Sequence, residues 1–448
     1  SPTTMKYFGI ISAFWAILLL VSCQTSGSNP FESTAGNKGS FGALPSGAAK
    51  PQAYAIPRSA SLQEMVDAAL RHHPSLKVRR ARITALEQSA VQARALPDPS
   101  ASVTGGSLAE TAAGQVTAIA GVQQKIPYPG KRKTKSLAIF KQAEAMRAQL
   151  AADELALAER VRKAYWDYYT AQRTVAVVTE SKEVLRTLRE SVEARIAASK
   201  AAQQDLLRLD NEITRLDQRL AVARGREQSA RGSLNALLFR PSGSSLPNAK
   251  AGPLAQYGSP SILLSRAQNH HPAVLAGQAR IEAAEHGVTL AKLRKRPDFT
   301  AGLSYAPVSS DGLAPSANGR DQVMATLGLT LPLWREKNVA AENEAAANLT
   351  AEHHALATTR SSLQQQIESA RATLDAEQTN LALYGKRLIP DAQQSFELVV
   401  TGFSADQTSF LDVVDAWRQL LDYRLAREEN RARVGQAEAT LRYAAGLR

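Results

Sequence analysis

Long stretches of the chain place apolar residues at helical spacing and contain almost no helix-breaking residues. After Gly130 the next proline is Pro241, and the glycines between them are Gly225 and Gly232. Glycine and proline are the least favourable residues in a helix interior, so a run of this kind is typical of long α-helices. The pattern predicts helices over residues 61–96, 134–198, 203–238, 260–295, 335–401 and 406–445.

The chain contains two copies of one unit. His-His-Pro at residues 72–74 recurs at residues 270–272, and each copy continues with the same order of helix, strand pair and long helix. This repetition indicates a tandem duplication. Because each His pair precedes a proline at a duplicated helix boundary, a turn is a better interpretation than a metal site. The predicted repeats are residues 59–240 and 260–448, with an inter-repeat linker at residues 241–259.

The predicted helices are too long for a compact domain. The first long helix, residues 134–198, has 65 residues and is therefore about 100 Å long at about 1.5 Å per residue. In each copy the two shorter helices together have roughly the length of the long one, so they can stack end to end beside it. We therefore expect each repeat to be an antiparallel coiled-coil hairpin with its strands at one end.

Four segments between the helices are candidates for β-strands. Apolar residues alternate with small or polar ones clearly in both segments of the second copy and more weakly in the second segment of the first copy, while the first segment of that copy is ambiguous. In the clearest of them the apolar set is Val323, Ala325, Leu327, Leu329 and Leu331. Strands of about 9–11 residues with one apolar face are what a transmembrane β-barrel requires. Four strands cannot close a barrel, so this interpretation requires several copies, and three would supply about 12 strands. The predicted strands are residues 99–108, 115–127, 297–307 and 321–333.

The strand pattern by itself leaves two architectures open. A soluble four-stranded sheet with one buried face has the same period as membrane strands. Tyr128 and Trp334 favour the membrane interpretation, because each follows the last strand of its copy. Interfacial aromatic residues of membrane proteins occur at such positions.

Composition limits the chemistry that the chain can perform. Its single cysteine, Cys23, excludes a disulfide framework and a Cys-clustered metal site. We find no Gly-rich phosphate loop, nucleophile motif or separated His/Glu metal set, so the sequence predicts neither an enzyme nor a bound cofactor or metal. The excess of 54 Lys and Arg over 41 Asp and Glu gives a net charge of +13. Such an excess reports on non-specific attraction rather than on fold.

The N-terminal residues are typical of an exported lipoprotein. Lys6 precedes an apolar run of signal-peptide length that ends in Leu-Val-Ser-Cys at residues 20–23. These four residues resemble the lipobox of bacterial lipoproteins, and Gln24, where an aspartate would retain the protein in the inner membrane, favours the outer membrane. An ordinary signal peptide with a chance cysteine stays open. The predicted segments are a signal peptide at residues 1–22, a lipid attachment at Cys23 and a lipid-anchored extended linker at residues 23–58.

The duplicated hairpins, the strand pairs and the lipobox resemble the TolC-like outer-membrane efflux factors, in their lipoprotein branch, over residues 59–448. The resemblance implies a mostly α fold with a transmembrane β part. Each protomer would have tandem duplicated long coiled-coil hairpins and four β-strands, and a homotrimer would form a barrel of about 12 strands and an α-helical tunnel. It places the protein in a Gram-negative outer membrane, lipid-anchored, with a periplasmic extension.

The resemblance also implies a function and partners. The function is the outer-membrane channel of a tripartite efflux system, a passive conduit for substrates delivered by other proteins. The implied partners are a periplasmic adaptor protein, an inner-membrane efflux pump, for which the RND type is one class, and outer-membrane lipid. Nucleic acid is not among them, because an exported lipoprotein does not meet it.

The most specific local match is Phe-Leu-Asp-Val-Val-Asp-Ala at residues 410–416. In the family, two aspartates at this hairpin tip line the closed periplasmic entrance. Asp412 and Asp415 have the required spacing, which puts both carboxylates on one helix face. Threefold repetition would bring these carboxylates into one ring at the channel entrance gate, where they would attract cations. The gating Tyr and Arg of the family prototype are replaced by Phe403 and Thr408, so a latch of those polar groups is not expected.

A second function stays open from the residues alone, namely a structural coiled-coil lipoprotein tethered to the outer membrane without a pore. It would need the helices and the anchor but no barrel strands. The segment Pro127–Arg132 resembles one that is common in metal-efflux members of the family, but it is too short to assign a substrate.

Overall fold

The computed structural model describes residues 54–57, 59–106, 110–111, 114–253, 257–309 and 319–448. The predicted signal peptide, Cys23 and nearly all of the predicted linker lie outside these residues. Within them the chain is mostly helical, as predicted. The helices are α1 (Leu62–His72), α2 (Pro74–Arg94), α3 (Lys131–Ala197), α4 (Gln203–Leu237), α5 (Pro260–His270), α6 (Pro272–Leu293), α7 (Arg335–Leu383), α8 (Ile389–Ser404) and α9 (Phe410–Ala444).

The strands form two antiparallel sheets. The main sheet has the order β1-β4-β5-β7, so β4 of the first repeat pairs with β5 of the second. A second sheet, β2-β3-β6, was not predicted; its strands are only two or three residues long, too short for an alternation pattern. The strands are β1 (Ser100–Gly105), β2 (Glu110–Thr111), β3 (Gly114–Val116), β4 (Ala118–Ile126), β5 (Asp298–Ala306), β6 (Val308–Ser309) and β7 (Gln322–Thr330).

Two predicted helices are each divided in two by a histidine. His73 separates α1 from α2, and His271 separates α5 from α6, with extended backbone at both residues. The physical reason is the proline that follows, which disfavours the helical conformation of the preceding residue. Each histidine then caps the next helix, because its Nδ1 accepts a hydrogen bond from the backbone N–H two residues on, that of Ser75 or of Ala273.

The predicted helix over residues 335–401 is also interrupted. A π-helical turn, Tyr384–Leu388, joins α7 to α8 just before Pro390. Proline has no N–H to donate to the carbonyl four residues before it, and an inserted π-turn is one way in which a helix accommodates this loss. The last helix begins at Phe410 rather than at the predicted residue 406, because Ser409 and Asp412 form a capping box there.

The longest helix, α3, is the axis of the structure. It contacts α1, α2 and α4 of its own repeat, as the matching helix lengths predicted, and also α6 and α9 of the second repeat. In the second repeat α7 contacts α5, α6 and α9 in the same way. One face of α3 is apolar and buried along most of its length, and helices from both repeats cover it. Within the described part of the chain, no helix combines the length and the apolar composition that a membrane span requires.

A buried carboxylate joins the two repeats halfway along α3. Glu428 of α9 is 4% exposed and accepts a hydrogen bond of 2.6 Å from the Tyr169 hydroxyl of α3. Arg427 donates to the same carboxylate at 2.6 Å. Burial alone would raise the pKa of Glu428, but these hydrogen bonds outweigh it and lower the pKa. The carboxylate is therefore charged and paired, and burial together with this charge raises the pKa of Tyr169.

We predict that His271 makes folding sensitive to mild acid. Its ring is fully buried, and with Nδ1 accepting from Ala273 N at 3.1 Å, Nε2 carries the proton that it donates to the Tyr443 carbonyl at 3.1 Å. Burial lowers the pKa of His271 below its usual value of 6.5. Stability is therefore complete above pH 6.5 and falls as the pH drops below it, by up to about 1.4 kcal/mol per pH unit.

Urea unfolding followed by circular dichroism between pH 5 and 8, about the usual histidine range, measures this effect. His271→Asn retains a capping oxygen and should reduce the pH dependence, leaving the part contributed by His73, whose pKa burial also lowers. The matched control is His270→Asn at the exposed neighbouring position, which should leave it intact. An identical pH profile in all three proteins would contradict the assignment.

Candidate functional site at the hairpin tips

Both hairpins turn at the same end of the structure, away from the sheet. The first turn joins α3 to α4, and the second joins α8 to α9. Each turn contains a residue in the left-handed region, Ser199 at φ 58° and Asp406 at φ 60°. Each is closed by a backbone bond of 2.8 Å to the end of the preceding helix, from Lys200 N to Arg195 O and from Gln407 N to Gly402 O. These are the bonds of a Schellman helix end.

The two tips share one apolar core. Phe403 of α8 and Phe410 of α9 lie with ring centroids 5.8 Å apart, and both are buried against α3 and α4. Phe403 stands where the family prototype has a gating residue, and in this structure its side chain is part of the shared apolar core. The cluster comprises Val177, Val178, Leu185, Leu188, Val192, Leu209, Leu216, Leu220, Phe403, Phe410, Val413, Val414, Trp417 and Leu421.

Asp412 and Asp415 lie on the exposed face of α9, opposite the buried Val413 and Val414. The Asp412 carboxylate accepts hydrogen bonds from Ser409, at 2.7 Å from the hydroxyl and 3.0 Å from the backbone N–H. These bonds lower the pKa of Asp412, so this carboxylate is ionised at neutral pH. The spacing therefore presents two acidic groups to the solvent at the tip, as the sequence predicted, and Asp412 also begins the helix.

Asp415 belongs to an ion-pair chain that crosses between the hairpins. Arg418 contacts Asp415 at 3.1 Å and Glu212 of α4 at 2.6 Å. Glu212 is buried and also contacts Arg215 at 2.8 Å. Its hydrogen bond raises the pKa of Arg418, which is the direction expected for a cation held by a carboxylate. Glu212 and Arg418 therefore connect the first hairpin to the helix that carries the acidic pair.

A second link joins the turns themselves. Arg195 of α3 donates to the Ser404 carbonyl at 3.0 Å, forms an ion pair with Asp406 and lies 4.6 Å from the centre of the Phe403 ring. Thr408 is not part of this link, because its hydroxyl donates to the Val399 carbonyl within its own hairpin. The polar bonds between the hairpins are thus made by Arg195 and Arg418, which do not stand at the positions of the family's gating residues.

Sequence reasoning missed Arg195, Glu212 and Arg418. Each is a charged residue in a helix rich in charges, and nothing in the local sequence distinguishes it from its neighbours. Leu209 and Leu216 are buried, and Glu212 lies between them at helical spacing, on the same buried face. This spacing is the only local sequence signal that Glu212 is buried.

The other predicted site residues lie apart from the tips. Tyr128 is half-buried beside the sheet, where its backbone N–H donates to Asp298 at 2.9 Å. Trp334 is 78% exposed just after the main sheet ends. Within the described residues, no three His, Cys, Asp or Glu side chains meet in an arrangement that could hold a metal ion.

We predict that Arg418→Met destabilises the tip more than an ordinary surface substitution does. It leaves Glu212 buried with one partner fewer, which should lower the free energy of unfolding by about 1–3 kcal/mol. Arg424→Met is the control, because Arg424 is on the same helix and forms no ion pair.

A double-mutant cycle with Glu212→Gln isolates the link. The double variant should lose less stability than the sum of the single variants, since the buried charge has been removed with its partner. Additive losses in urea unfolding would mean that the two side chains do not stabilise one another.

The sequence matches a known family profile and is similar to a known resistance protein. The family profile described as "Outer membrane efflux protein" matches residues 65–238 and 263–447. The cobalt-zinc-cadmium resistance protein CzcC of Cupriavidus metallidurans is 25% identical over 348 residues, which are 76% of this chain and 78% of that protein.

Solved structures resemble the fold. The outer membrane protein VceC of Vibrio cholerae superposes with a TM-score of 0.72 at 20% identity, covering 86% of this chain and 96% of that one. The open-state MtrE outer membrane channel of Neisseria gonorrhoeae gives a TM-score of 0.71 at 20% identity, covering 86% and 89%. The profile spans most of both repeats and the fold agrees with it, so the chain belongs to the outer membrane efflux protein family.

Proposed function

We propose that this protein is the outer-membrane channel of a tripartite efflux system, a passive trimeric conduit. Membership of the outer membrane efflux protein family supports this function. The observation that carries it is the main sheet, which has one apolar face, one polar face and two unpaired edges among the described residues.

The register of the main sheet gives its two faces different compositions. Pairing aligns Leu303 with Val122 and Ala325, and Phe299 with Ile126 and Leu329, so these side chains share a mostly apolar face. One row across the opposite face carries the small or polar residues Ser102, Gly121 and Ser304 and ends in Met324. Leu327 on the apolar face is 89% exposed. An apolar face of this kind matches lipid contact on the outside of a barrel, and the polar face matches a water-filled interior.

The edges of the sheet require further strands. Within the described residues, β1 pairs only with β4 and β7 pairs only with β5, which leaves the outer backbone groups of β1 and β7 without ladder partners. Unpaired backbone groups are costly in a lipid environment. Three copies, each joining its β7 to the β1 of the next, would close a barrel of about 12 strands and remove every edge.

The tips then act as the entrance. In a trimer the exposed face of α9 would bring Asp412 and Asp415 of every copy to one constriction, where acidic rings attract cations. The Glu212–Arg418 and Arg195–Asp406 pairs tie the hairpins of each copy together, and opening would require these contacts to change.

The remaining parts of the system follow from this function. A periplasmic adaptor and an inner-membrane pump, with the RND type as one class, would supply the substrate and the energy, and lipid at Cys23 would anchor the chain. The printed name of the Cupriavidus relative refers to cobalt, zinc and cadmium resistance, and acidic rings favour cations, so divalent metal ions are the cargo that we propose to test first.

The membrane placement predicts opposite effects for two adjacent exposed residues. Leu327→Arg puts a charge on the lipid-facing side, which costs about 2–4 kcal/mol per copy near the middle of a membrane. We expect it to abolish the membrane-inserted trimer. Thr326→Arg is the matched control on the polar face and should assemble normally.

Heat-modifiable trimer bands in detergent and conductance in planar bilayers measure the outcome. In a soluble sheet both residues would face water and both substitutions would be tolerated. Equal assembly of the two variants, or a monomeric, non-conducting wild-type protein, would favour the tethered coiled-coil lipoprotein without a pore.

The acidic pair predicts the selectivity of the entrance. Asp412→Asn with Asp415→Asn should lower the cation-over-anion permeability ratio several-fold and weaken block by multivalent cations. Reversal potentials in a salt gradient give the ratio directly. Glu190→Gln, an exposed carboxylate on the first hairpin, serves as the control for loss of charge. An unchanged ratio in the double variant would refute the role of the pair.

A further inference from the structure

All four connections between helices and the main sheet lie at the same end of its strands. Pairing places Ser100, the first residue of β1, near the end of β4, and Ile126, the last residue of β4, opposite Phe299 at the start of β5. Asp298 in turn pairs with Thr330, the last residue of β7. The chain segments that flank these residues therefore form one belt around the helix-proximal end of the sheet. This junction belt comprises residues 94–99, 125–135, 292–298 and 331–337.

The junction belt accounts for most of the chain's net positive charge. It contains twelve Lys and Arg and three Asp and Glu, a net charge of +9 out of +13 for the whole chain. The segments that join β1 to β4 and β5 to β7 at the other end, residues 106–117 and 307–321, contain one Arg and three acidic residues. The basic excess is thus concentrated at one end of the sheet and not spread along the helices.

Most of these cations have no acidic partner within the described residues. Lys131 pairs with Asp298 at 2.7 Å and Lys295 with Glu342 at 2.9 Å. Six others are exposed and, within that part of the chain, have no ion pair, ring contact or other charge interaction, namely Lys133, Lys135, Lys292, Arg294, Arg335 and Lys337. Their charges are directed outward, where an external anion can reach them.

Helix electrostatics make this placement unfavourable in the protein alone. Lys131, Arg132 and Lys133 open α3, whose first turn has no acidic residue and whose N-terminus has no side-chain cap. Arg335 opens α7, which also lacks a side-chain cap but has the acidic Glu336 in its first turn. The N-terminus of a helix carries partial positive charge and favours anions, so basic residues there repel it. A bound anion would relieve both the charge repulsion and the uncapped N–H groups.

The neighbouring residues indicate a lipid surface. Leu331, Leu333 and Trp334 are exposed immediately before Arg335. Apolar and aromatic side chains followed directly by basic ones are typical of segments at a membrane interface, where the tail region and the headgroups are contacted in turn. A soluble anion would gain nothing from contact with the adjoining apolar side chains.

We propose that the junction belt binds the phosphate headgroups of anionic phospholipids in the leaflet that meets the helix-proximal end of the sheet. The proposal rests on the membrane placement of the sheet in the proposed function. It accounts for the basic excess, for its position at one end and for the uncapped helix starts. The same contacts would fix the depth at which the channel sits in the membrane.

Spin-label spectroscopy of the full-length protein in phosphatidylcholine vesicles tests the proposal. Labelled phosphatidylglycerol should associate with the protein perimeter about threefold more strongly than labelled phosphatidylcholine, and salt should weaken the preference. The belt variant combines Lys133→Gln, Lys135→Gln, Arg335→Gln and Lys337→Gln and should bind both lipids equally. The control variant removes the same charge from exposed helix positions outside the belt through Lys77→Gln, Arg82→Gln, Arg224→Gln and Arg226→Gln, and should keep the preference.

Each outcome separates one explanation from another. Equal association of the two lipids with the wild-type protein, or an equal loss in the control variant, overturns the proposal. Loss of the preference on adding inorganic phosphate at constant ionic strength would assign the belt to free phosphate and also overturn it. The wild-type salt titration needs no variant to fold. The extraction uses Cys23→Ala, so that a lipid anchor cannot retain the chain. Release of this variant at alkaline pH would defeat the membrane placement itself, whereas a retained variant without lipid preference defeats only the belt.

Discussion

The apolar face of α3 is the contact on which the rest of the structure depends. Helices from both repeats bury it, and its 67 residues separate the sheet from the hairpin tips by about 100 Å. The two repeats therefore share two of their apolar clusters along α3. The buried Glu428, bonded to Tyr169 of α3, favours one register of that contact, since sliding of α9 would cost the carboxylate its donor on α3.

The two ends of this rod carry opposite charges. The tips present acidic side chains on α9, held at the start of the helix by Ser409 and toward the first hairpin by Arg418. The junction belt presents basic side chains near the sheet. This separation of charge is the one that the proposed entrance and the proposed headgroup contact require, and it gives the basic excess a location that total charge does not reveal.

Polar contacts between the hairpins involve other residues than the gating Tyr and Arg of the family prototype. Phe403 occupies the shared apolar core of the tips, and Thr408 bonds within its own hairpin. Arg195 and Arg418 instead reach from one hairpin to the other. A closed tip can therefore be held by ion pairs whose positions differ from the family pattern, because the requirement is an opposite charge across the contact and not a particular residue number.

Local period and the absence of helix breakers were enough to predict where most of the helices and strands lie and that Asp412 and Asp415 share one helix face. The predicted helix ranges ran through the breaks at His73, His271 and Tyr384–Leu388. The pairing of β4 with β5 across the repeats, the burial of the His271 cap and the contact of Glu212 with Arg418 depend on how distant segments pack. The last two residues are 206 positions apart, and no local pattern encodes which of many charged residues will meet when two long helices pack.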